Sequence, residues 1–388
     1  MPILICGAIW TGSVVYFLLR AMRQFRNYRS ATISATSNAN ISSTVSIIVP
    51  VRNEIHNIGL CLTGLSTQAG LSCRGPIIVV DDGSQDGTRT AVEGHIADNP
   101  WIELIDAGPL PAGWAGKPHA CWRGALASKG DWLCFIDADV RPEPELIASA
   151  VTTAEAQGVD MLSLHPRQEL GSFWERVVIP AGLLVLACAK RFEPASQDVV
   201  NGQFLLVRRE AYFAVGGHGA VRGEICEDTA LAACIREGGF ALQVLAAPHL
   251  VHTRMYRDLN SLWQGFAKNS ADILGSAGKT LIAAAAVLVF AWTSLLLPLL
   301  VLPVTIAAPS AARIAGSTLA MLGTGIVVGI HLGTVRHLRV PAMFGFTFAI
   351  GYTAVASLVC HSVITRLTGR VTWKGRTYHL DKSAPRRS

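Results

Sequence analysis

The chain has 388 residues, of which 51% are hydrophobic and only 15% are charged, with 33 Lys and Arg against 27 Asp and Glu. Soluble domains carry roughly 25% charged residues, so the composition excludes an ordinary cytosolic protein, a disordered chain and a collagen-like fibre. The nine cysteines contain no CxxC pair, which argues against a disulfide scaffold or a zinc site. The apolar excess lies at the two ends, whereas about residues 41–270 have the composition of a globular domain.

The first apolar run, residues 3–19, is uncharged and as long as a short membrane-crossing helix. A signal peptide is the competing interpretation, but no basic residue precedes the run and no small-x-small cleavage site follows it. We therefore predict a transmembrane helix within residues 1–20, then a basic juxtamembrane segment and polar linker over 21–44. The basic residues that follow the run predict that its C-terminal side lies in the cytoplasm. These residues are Arg20, Arg23, Arg26 and Arg29.

The middle of the chain alternates between short apolar β-branched runs and helical segments. We predict strands at 45–51, 76–84, 101–107 and 131–139, with helices ending near Gln68, covering Asp86–His95 and covering His119–Lys129. This alternation predicts an α/β domain with a mostly parallel sheet over residues 45–275. Ligands of such sheets bind beyond the carboxyl ends of the strands.

Residues 173–189 contain a 13-residue apolar run, interrupted by Pro180, that is too short for a span. An interfacial membrane helix and a buried core helix are both compatible with it.

Three longer apolar runs, 281–303, 314–335 and 340–365, form a predicted C-terminal transmembrane region over 280–365, which a basic tail follows over 366–388. Three crossings place the tail outside, whereas its basic residues predict the cytoplasm. One run is therefore expected to be re-entrant, paired or tilted, and the run with Pro298 and Pro303 is the first candidate. We expect a multi-pass protein of the cell (inner) membrane with a cytoplasmic central domain.

The net charge of +6 comes largely from residues that flank the apolar runs. This distribution is typical of membrane proteins and does not indicate a nucleic-acid partner.

Four short motifs carry the acidic residues of interest: PVRNE (50–54), DDGSQDGT (81–88), DAD (137–139) and CEDTAL (226–231). Each alone also fits an ordinary turn, solvated loop or helix cap. The first three, however, follow strands of one predicted sheet, so their side chains are expected to meet at one edge. A converging set of carboxylates is typical of a site for a divalent cation and a phosphorylated ligand.

The residue types assign roles for a nucleotide-sugar ligand. Asp137 and Asp139 can provide a metal ligand and a ribose contact, and Asp81 or Asp82 can accept hydrogen bonds from a base edge. Lys117, in the glycine-rich loop 113–120, can place a cation beside the phosphates, although the P-loop spacing is absent. Asp228, in an acidic pair with Glu227, is the best candidate for a general base.

The motif order, together with GKPHA and NGQF (201–204), resembles the family 2 inverting glycosyltransferases, and within them the membrane-anchored, lipid-acceptor branch of hopanoid-associated and carotenoid (diaponeurosporenoate) enzymes. The resemblance implies a GT-A fold, a nucleotide-sugar donor, most simply a UDP-sugar, and Mg²⁺ or Mn²⁺ on Asp139 with Asp137. It implies catalysis by Asp228 with Glu227. The donor-binding positions that it implies are Pro50, Arg52, Glu54, Asp81, Asp82, Lys117 and Asp137.

One departure from the family pattern concerns the acceptor. Processive polysaccharide synthases carry a QxxRW motif after the acidic pair, whereas residues 252–269 of this chain lack it. The interpretation is a single transfer to a lipid acceptor. The residues expected at the acceptor or the diphosphate are Gly202, Gln203, Arg254, Tyr256 and Trp263. A polysaccharide or cell-wall glycan synthase, and a non-catalytic membrane protein with a degenerate nucleotide fold, remain the alternatives. The tail segment 371–378 resembles a WxGRxY segment that lies on the cytoplasmic side in related enzymes.

Overall fold

The computed structural model describes residues 1–36, 40–72, 74–189, 200–273, 277–368, 370–373 and 376–379. The predicted domain boundary at residue 275 and most of the predicted basic tail, including Lys374, Lys382, Arg386 and Arg387, lie outside these ranges.

The strands follow the pattern read from the sequence. Their bounds are β1 Val45–Val51, β2 Arg74–Asp81, β3 Ile102–Asp106, β4 Trp132–Ile136, β5 Val140–Pro142, β6 Met161–His165, β7 Arg167–Gln168, β8 Phe204–Arg208, β9 Leu242–Ala246, β10 Val251–Thr253, β11 Arg370–Trp373 and β12 Arg376–His379.

The main sheet of the described residues has the order β3-β2-β1-β4-β8-β6-β9. Only β8 is antiparallel to its neighbours, β4 and β6. A small second sheet, β5-β10-β7, packs beside the carboxyl end of β4, and β11 pairs with β12 as a hairpin. The predicted α/β fold with a mostly parallel sheet is confirmed.

The helices connect these strands and surround one end of the domain. Their bounds are α1 Pro2–Ser30, α2 Ile58–Ser66, α3 Thr88–Asp98, α4 Gly116–Ala127, α5 Leu146–Ala156, α6 Phe173–Ala189, α7 Arg209–Ala214, α8 Gly217–Ala220, α9 Glu227–Glu237, α10 Leu259–Ile273, α11 Ala277–Ala307, α12 Ala311–His337 and α13 Phe348–Thr368, with a 3₁₀ segment at Ala342–Phe346.

Apolar residues from both faces of the sheet are fully buried, because helices cover the two faces. Val49 and Val79 point into one core cluster, whereas Ile48, Ile78 and Leu133 point into the other. Burying each such side chain stabilises the fold by roughly 1.5–3 kcal/mol. Strands with apolar residues on both faces therefore fix the sheet, and their polar ends are left at its carboxyl edge.

Helix α1 is longer than the sequence predicted. It continues to Ser30, so the arginines placed in a juxtamembrane segment belong to the helix itself. It packs closely along α12: a Cβ on Gly7 would lie 2.2 Å from the carbonyl oxygen of Gly316, so only glycine allows this approach. After α1, residues 31–33 lie against the domain: the Ile33 amide donates to the Ala246 carbonyl of β9, and the Ala246 amide donates to the Ala31 carbonyl.

Among the described residues, four helices are long and apolar enough to cross a membrane: α1, α11, α12 and residues 348–365 of α13. Helix α13 differs from the others because both of its ends contact elements of the α/β domain or of α6. Near its start, Gly351 packs on Val177 of α6. Near its end, His361 Nδ1 accepts a hydrogen bond from Trp263 Nε1 of α10 at 2.9 Å.

Helix α6 contributes to neither core cluster of the α/β domain. Its buried residues, Val177–Ile179 and Ala181, join the cluster of α1, α12 and α13. Farther along, Leu183 and Leu186 are exposed. The helix thus lies between the α/β domain and the apolar helices.

Candidate active site

The loops after β1 and β2 are held together by side-chain bonds at the carboxyl edge of the sheet. Asn53 adopts a positive φ of 53°, and its Oδ1 accepts a bond from the Gln85 amide at 2.9 Å. The Glu54 amide donates to Thr88 Oγ1 at 2.7 Å. Asparagine tolerates the left-handed conformation better than most residues. The PVRNE and DDGSQDGT motifs therefore form one structural unit.

The two aspartates of the second motif have different surroundings. Asp81 Oδ1 accepts the Ser84 amide at 2.9 Å and holds the turn. Asp82 lines the central cavity, and its Oδ1 is buried without a hydrogen-bond partner in the described residues. Its Oδ2 is bonded by the guanidinium of Arg376, and Arg52 donates to its carbonyl oxygen. Of the pair, Asp82 is thus the one available to a ligand.

Lys117 joins two of the acidic motifs. Its Nζ lies 2.7 Å from Asp137 Oδ1 and 2.8 Å from Glu227 Oε1. Burial alone would lower the pKa of Lys117. The two carboxylates outweigh this effect and raise that pKa well above its usual value. The sequence placed Lys117 in a loop, but α4 begins at Gly116, so Lys117 lies in the first turn of a helix. Helix N-termini favour anions, which fits a phosphate neighbour.

The Asp228 carboxylate is held rigidly at the start of α9. Its Oδ2 accepts the Gly202 amide and its Oδ1 the Thr229 amide, both at 2.8 Å. Burial and the neighbouring charge of Glu227 raise the pKa of Asp228. A Cβ on Gly202 would lie only 3.0 Å from Oδ2, so the loop fits the carboxylate closely. An oriented carboxylate of raised basicity suits proton acceptance.

Gln203 immediately precedes β8 and bonds to the small sheet beside Asp139. Its Nε2 donates to Thr253 Oγ1 at 2.9 Å, and its carbonyl accepts the Asp137 amide at 3.2 Å. Arg254, which follows Thr253, donates its backbone amide to the Asp139 carbonyl at 3.4 Å. The DAD turn is therefore fixed from both sides by backbone and side-chain bonds.

The donor set fits a hard divalent cation only when a ligand contributes oxygens. Over the described ranges, no group of three or more His, Cys, Asp or Glu side chains is spaced to hold a metal by itself. Asp137 and Asp139, separated by Ala138, offer carboxylate oxygens, and Lys117 engages both oxygens of Asp137. Mg²⁺ characteristically takes one or two protein carboxylates with phosphate and water. Of the two aspartates, Asp139 is the one that Lys117 does not engage.

Two of the expected acceptor residues are placed elsewhere. The Arg254 guanidinium bonds Glu175 at 3.1 and 3.0 Å, and Glu175 is fully buried at the start of α6. Trp263 bonds His361 of α13 instead of facing the cavity. They were expected there because they lie in the region where processive synthases carry the QxxRW motif, but their contacts join the α/β domain to α6 and α13. Tyr256 does line the cavity.

One cavity of about 1650 Å³ brings the remaining predicted residues together. Its acidic end contains Pro50, Arg52, Glu54, Asp82, Lys117, Asp137, Asp139, Gly202, Gln203, Glu227 and Asp228. It then continues between α1, α6, α12 and α13, where Leu18, Leu184 and Leu358 line it. Asp81, also a predicted donor-binding residue, does not line the cavity. The space is large enough for a nucleotide sugar and part of a long apolar chain.

Arg376 contacts a residue of the acidic end, although none of the four acidic motifs indicated it. It comes from β12, after the last apolar helix, and contacts Asp82, which precedes it by 294 positions. The only sequence signal was the resemblance of residues 371–378 to a WxGRxY segment.

Comparisons with known proteins agree with this geometry. Residues 46–195 match the model of Glycosyl transferase family 2. The chain is 25% identical over 378 residues to the 4,4'-diaponeurosporenoate glycosyltransferase of Staphylococcus aureus strain MRSA252, covering 92% of this chain and 93% of that one. The protein of strain USA300 is 25% identical over 383 residues, with the same coverage.

A solved structure shows the same fold. The mannosyltransferase PcManGT of Pyrobaculum calidifontis, in complex with GDP-Man and Mn²⁺, superimposes with a TM-score of 0.52 at 18% identity, covering 94% of this chain and 99% of that chain. The chain thus contains a Glycosyl transferase family 2 domain of GT-A fold, and it is a glycosyltransferase.

Proposed function

We propose that the enzyme transfers a single sugar, with inversion, from a nucleoside diphosphate sugar to a lipid acceptor at the cytoplasmic face of the cell membrane. The observation that carries the proposal is the continuous cavity, which joins the acidic cluster to the apolar space between α1, α6, α12 and α13. A water-soluble acceptor would not need an apolar half of the cavity. An acceptor that partitions into the bilayer does.

The acidic end is proposed as the donor site. Asp82 would accept hydrogen bonds from the nucleobase through its Oδ1, which has no hydrogen-bond partner among the described residues, with Arg52 fixing its position. Lys117 would place its charge beside the diphosphate while it holds Asp137 and Glu227 in place. The presence of GDP-Man in the PcManGT complex supports a donor of this class.

A divalent cation, Mg²⁺ or Mn²⁺, is proposed at Asp139 with Asp137, and the Mn²⁺ in the PcManGT complex supports it. When bound, it would neutralise charge that develops on the leaving diphosphate.

In the proposed reaction an acceptor oxygen attacks the anomeric carbon, and the bond from that carbon to the diphosphate oxygen breaks. A hydroxyl acceptor gives its proton to Asp228, which the amides of Gly202 and Thr229 hold in orientation. A carboxylate acceptor arrives without a proton and needs no base. Attack opposite the leaving group inverts the anomeric configuration.

The packing of α13 supports a membrane arrangement in which α1, α11 and α12 cross and α13 re-enters from the cytoplasmic side. Both ends of α13 contact α6 or the α/β domain, and the hairpin that follows it reaches Asp82. The tail and the catalytic domain then share one side, and the conflict between three crossings and a basic tail disappears. The run with Pro298 and Pro303 becomes a crossing in this arrangement.

The test uses the purified full-length chain in nanodiscs with radiolabelled nucleotide sugars, Mn²⁺ and a lipid extract. We expect one labelled product that partitions into organic solvent and whose mass exceeds that of an extract lipid by one sugar unit. A ladder of products would contradict single transfer. Label released only as free sugar or polymer would contradict a lipid acceptor.

A further inference from the structure

Helix α6 begins with a buried carboxylate that the proposed reaction does not use. The Glu175 side chain is fully buried, and its two oxygens accept four hydrogen bonds. The backbone amides of Gly171 and Ser172 donate two of them, and the guanidinium of Arg254 donates the other two. Burial alone would raise the pKa of Glu175, but the bonds from Arg254 and Ser172 outweigh this effect and lower that pKa. Glu175 and Arg254 therefore form a largely buried ion pair.

The geometry of this pair is tightly specified. Arg254 Nε lies 3.1 Å from Glu175 Oε1, and Arg254 Nη2 lies 3.0 Å from Oε2, so the pair has two parallel bonds. A Cβ on Gly171 would lie 2.3 Å from Nη2, so a side chain at this position would displace the guanidinium. Ser172 Oγ accepts the Glu175 amide at 3.3 Å and completes a capping box. The start of α6 thus holds the guanidinium in one place.

Stability alone does not account for an ion pair at this position. Moving two charges out of water costs free energy, and an apolar pair of similar volume is often as stable as a buried ion pair or more stable. Two parallel bonds add direction, because they fix the plane of the Arg254 guanidinium relative to the Glu175 carboxylate. The pair is therefore suited to setting the position of the chain that carries Arg254.

That part of the chain lies beside the expected metal ligand. Arg254 directly follows β10, which pairs antiparallel with β5, and Thr253 is opposite Val140 in this pairing. Val140 directly follows Asp139, and the Arg254 amide donates to the Asp139 carbonyl at 3.4 Å. A shift of Arg254 would therefore move the backbone that presents the Asp139 carboxylate.

Helix α6 also reaches the membrane half of the cavity. Residues 182–187, which begin about two turns after Glu175, line the cavity between the apolar helices. Between these positions, Val177 packs against Gly351 of α13. One helix thus borders the apolar part of the cavity and, at its first turn, holds the segment beside Asp139.

We infer that Glu175 is a positioning residue for the metal site: it holds Arg254, and Arg254 sets the position from which Asp139 presents its carboxylate to a divalent cation. Replacing a residue that orients a metal ligand typically lowers metal affinity by about 10- to 100-fold. The inference rests on the proposed cation at Asp139, and it adds to that site a residue outside the four acidic motifs.

The test measures how much a metal ion improves nucleotide binding. Calorimetry on the full-length chain, in nanodiscs of phosphatidylcholine, gives the affinity for UDP and for GDP with Mn²⁺ and with EDTA, and the ratio of the two affinities is the metal-dependent gain. Glu175→Gln keeps the size of the side chain and one oxygen for the amides of Gly171 and Ser172, but it loses the charge. We expect the gain to fall by about 10- to 100-fold, while the affinity in EDTA stays unchanged.

Two further variants separate positioning from a loss of folding. The double variant Glu175→Gln with Arg254→Met leaves no unpaired charge at the site, so it should unfold near the temperature of the parent chain. Its gain should be as low as that of Glu175→Gln, because the two residues act as one unit. Arg254→Lys keeps a charge beside Glu175 without the two parallel bonds, and its gain should lie between those of Glu175→Gln and the parent. The parent's full gain in all three variants would overturn the inference and leave the proposed function intact.

A matched control comes from the opposite edge of the sheet. Asp160 precedes β6, accepts the Ala241 amide at 2.9 Å, and lies 3.4 Å from Arg208 Nε. Asp160→Asn also removes the charge of a carboxylate that bonds an arginine and a backbone amide, but it should keep the parent's gain. An equal loss in Asp160→Asn and Glu175→Gln would show that general destabilisation lowers the gain, and it would overturn the inference. If Mn²⁺ gave the parent chain no gain, the proposed cation would fail, and the inference with it.

Discussion

The two ends of the cavity are built in different ways. At the acidic end, the side chains of the first three motifs lie at or just after the ends of β1, β2 and β4, and Asp228 lies at the start of α9. Short local bonds such as Ser84 to Asp81 and Thr229 to Asp228 fix their orientation. At the membrane end, the lining comes from α1, α6, α12 and α13, which are far apart in the chain and meet only by packing. We therefore expect substitutions at the acidic end to act on chemistry and donor binding, and those at the membrane end to act on the acceptor.

The largest expected effect is that of Asp139→Ala. Without this carboxylate, the DAD turn retains only Asp137, which Lys117 already engages. We expect metal-dependent donor binding to disappear and transfer to fall by about 10³-fold or more, a loss of ~4 kcal/mol. Calorimetry with a nucleotide sugar, with and without Mn²⁺, measures this. Asp98→Ala, an exposed aspartate at the end of α3, is the matched control and should behave as the parent. Unchanged Mn²⁺-dependent binding would remove Asp139 from the metal site.

Asp228→Asn should separate donor binding from chemistry. The amide retains the size of the side chain but cannot take a proton, so transfer to an alcohol acceptor should fall by about 10²–10⁴-fold while the donor affinity changes little. Full transfer to the alcohol by this variant would exclude Asp228 as the base.

The pH dependence of the parent enzyme gives an independent check on the same group. The base must be deprotonated, and burial together with Glu227 raises the pKa of Asp228. Activity should therefore fall on acidification at a higher pH than an ordinary aspartate would cause, and it should be regained above that pKa. In Asp228→Asn this limb of the profile should vanish. A limb that persists would belong to another group.

The meeting of the PVRNE, DDGSQDGT and DAD motifs along one cavity was predictable from the sequence for physical reasons. Buried strands such as Val45–Val51 show as continuous apolar runs, and in a parallel sheet the residues after each run must meet at one edge. The same logic could not predict the partners of Arg254, because the distant Glu175 and the packing of α6 determine them. Nor could it place Arg376 on Asp82, since that contact depends on where α13 ends. Motifs at strand ends are local, and helix packing is not.

Gly202→Ala should show how closely the acidic end is fitted. The added Cβ would lie 3.0 Å from Asp228 Oδ2 and 3.1 Å from its Cβ, so the carboxylate must move away from the Gly202 amide. Small displacements of a catalytic group are costly, and we expect kcat to fall by about 10- to 10²-fold with little change in the KM for the donor. Gly94→Ala, on α3 with open space around it, is the control. A change confined to KM would show that the loop binds the donor and does not position the base.

The smallest expected effect concerns the contact between the loop after β2 and the C-terminal hairpin. Arg376 lies on the hairpin that follows α13, and Arg376→Ala removes the cation that bonds Asp82 Oδ2. The Arg376 side chain is 25% exposed, so solvent weakens the pair, and we expect donor affinity to fall only about three- to tenfold. Arg123→Ala, an exposed arginine of α4, is the control. Tighter donor binding in Arg376→Ala would mean that the arginine competes with the nucleotide for Asp82. Weaker donor binding would mean that Arg376 orients the Asp82 carboxylate toward the nucleobase. The C-terminal hairpin would then be part of the donor site.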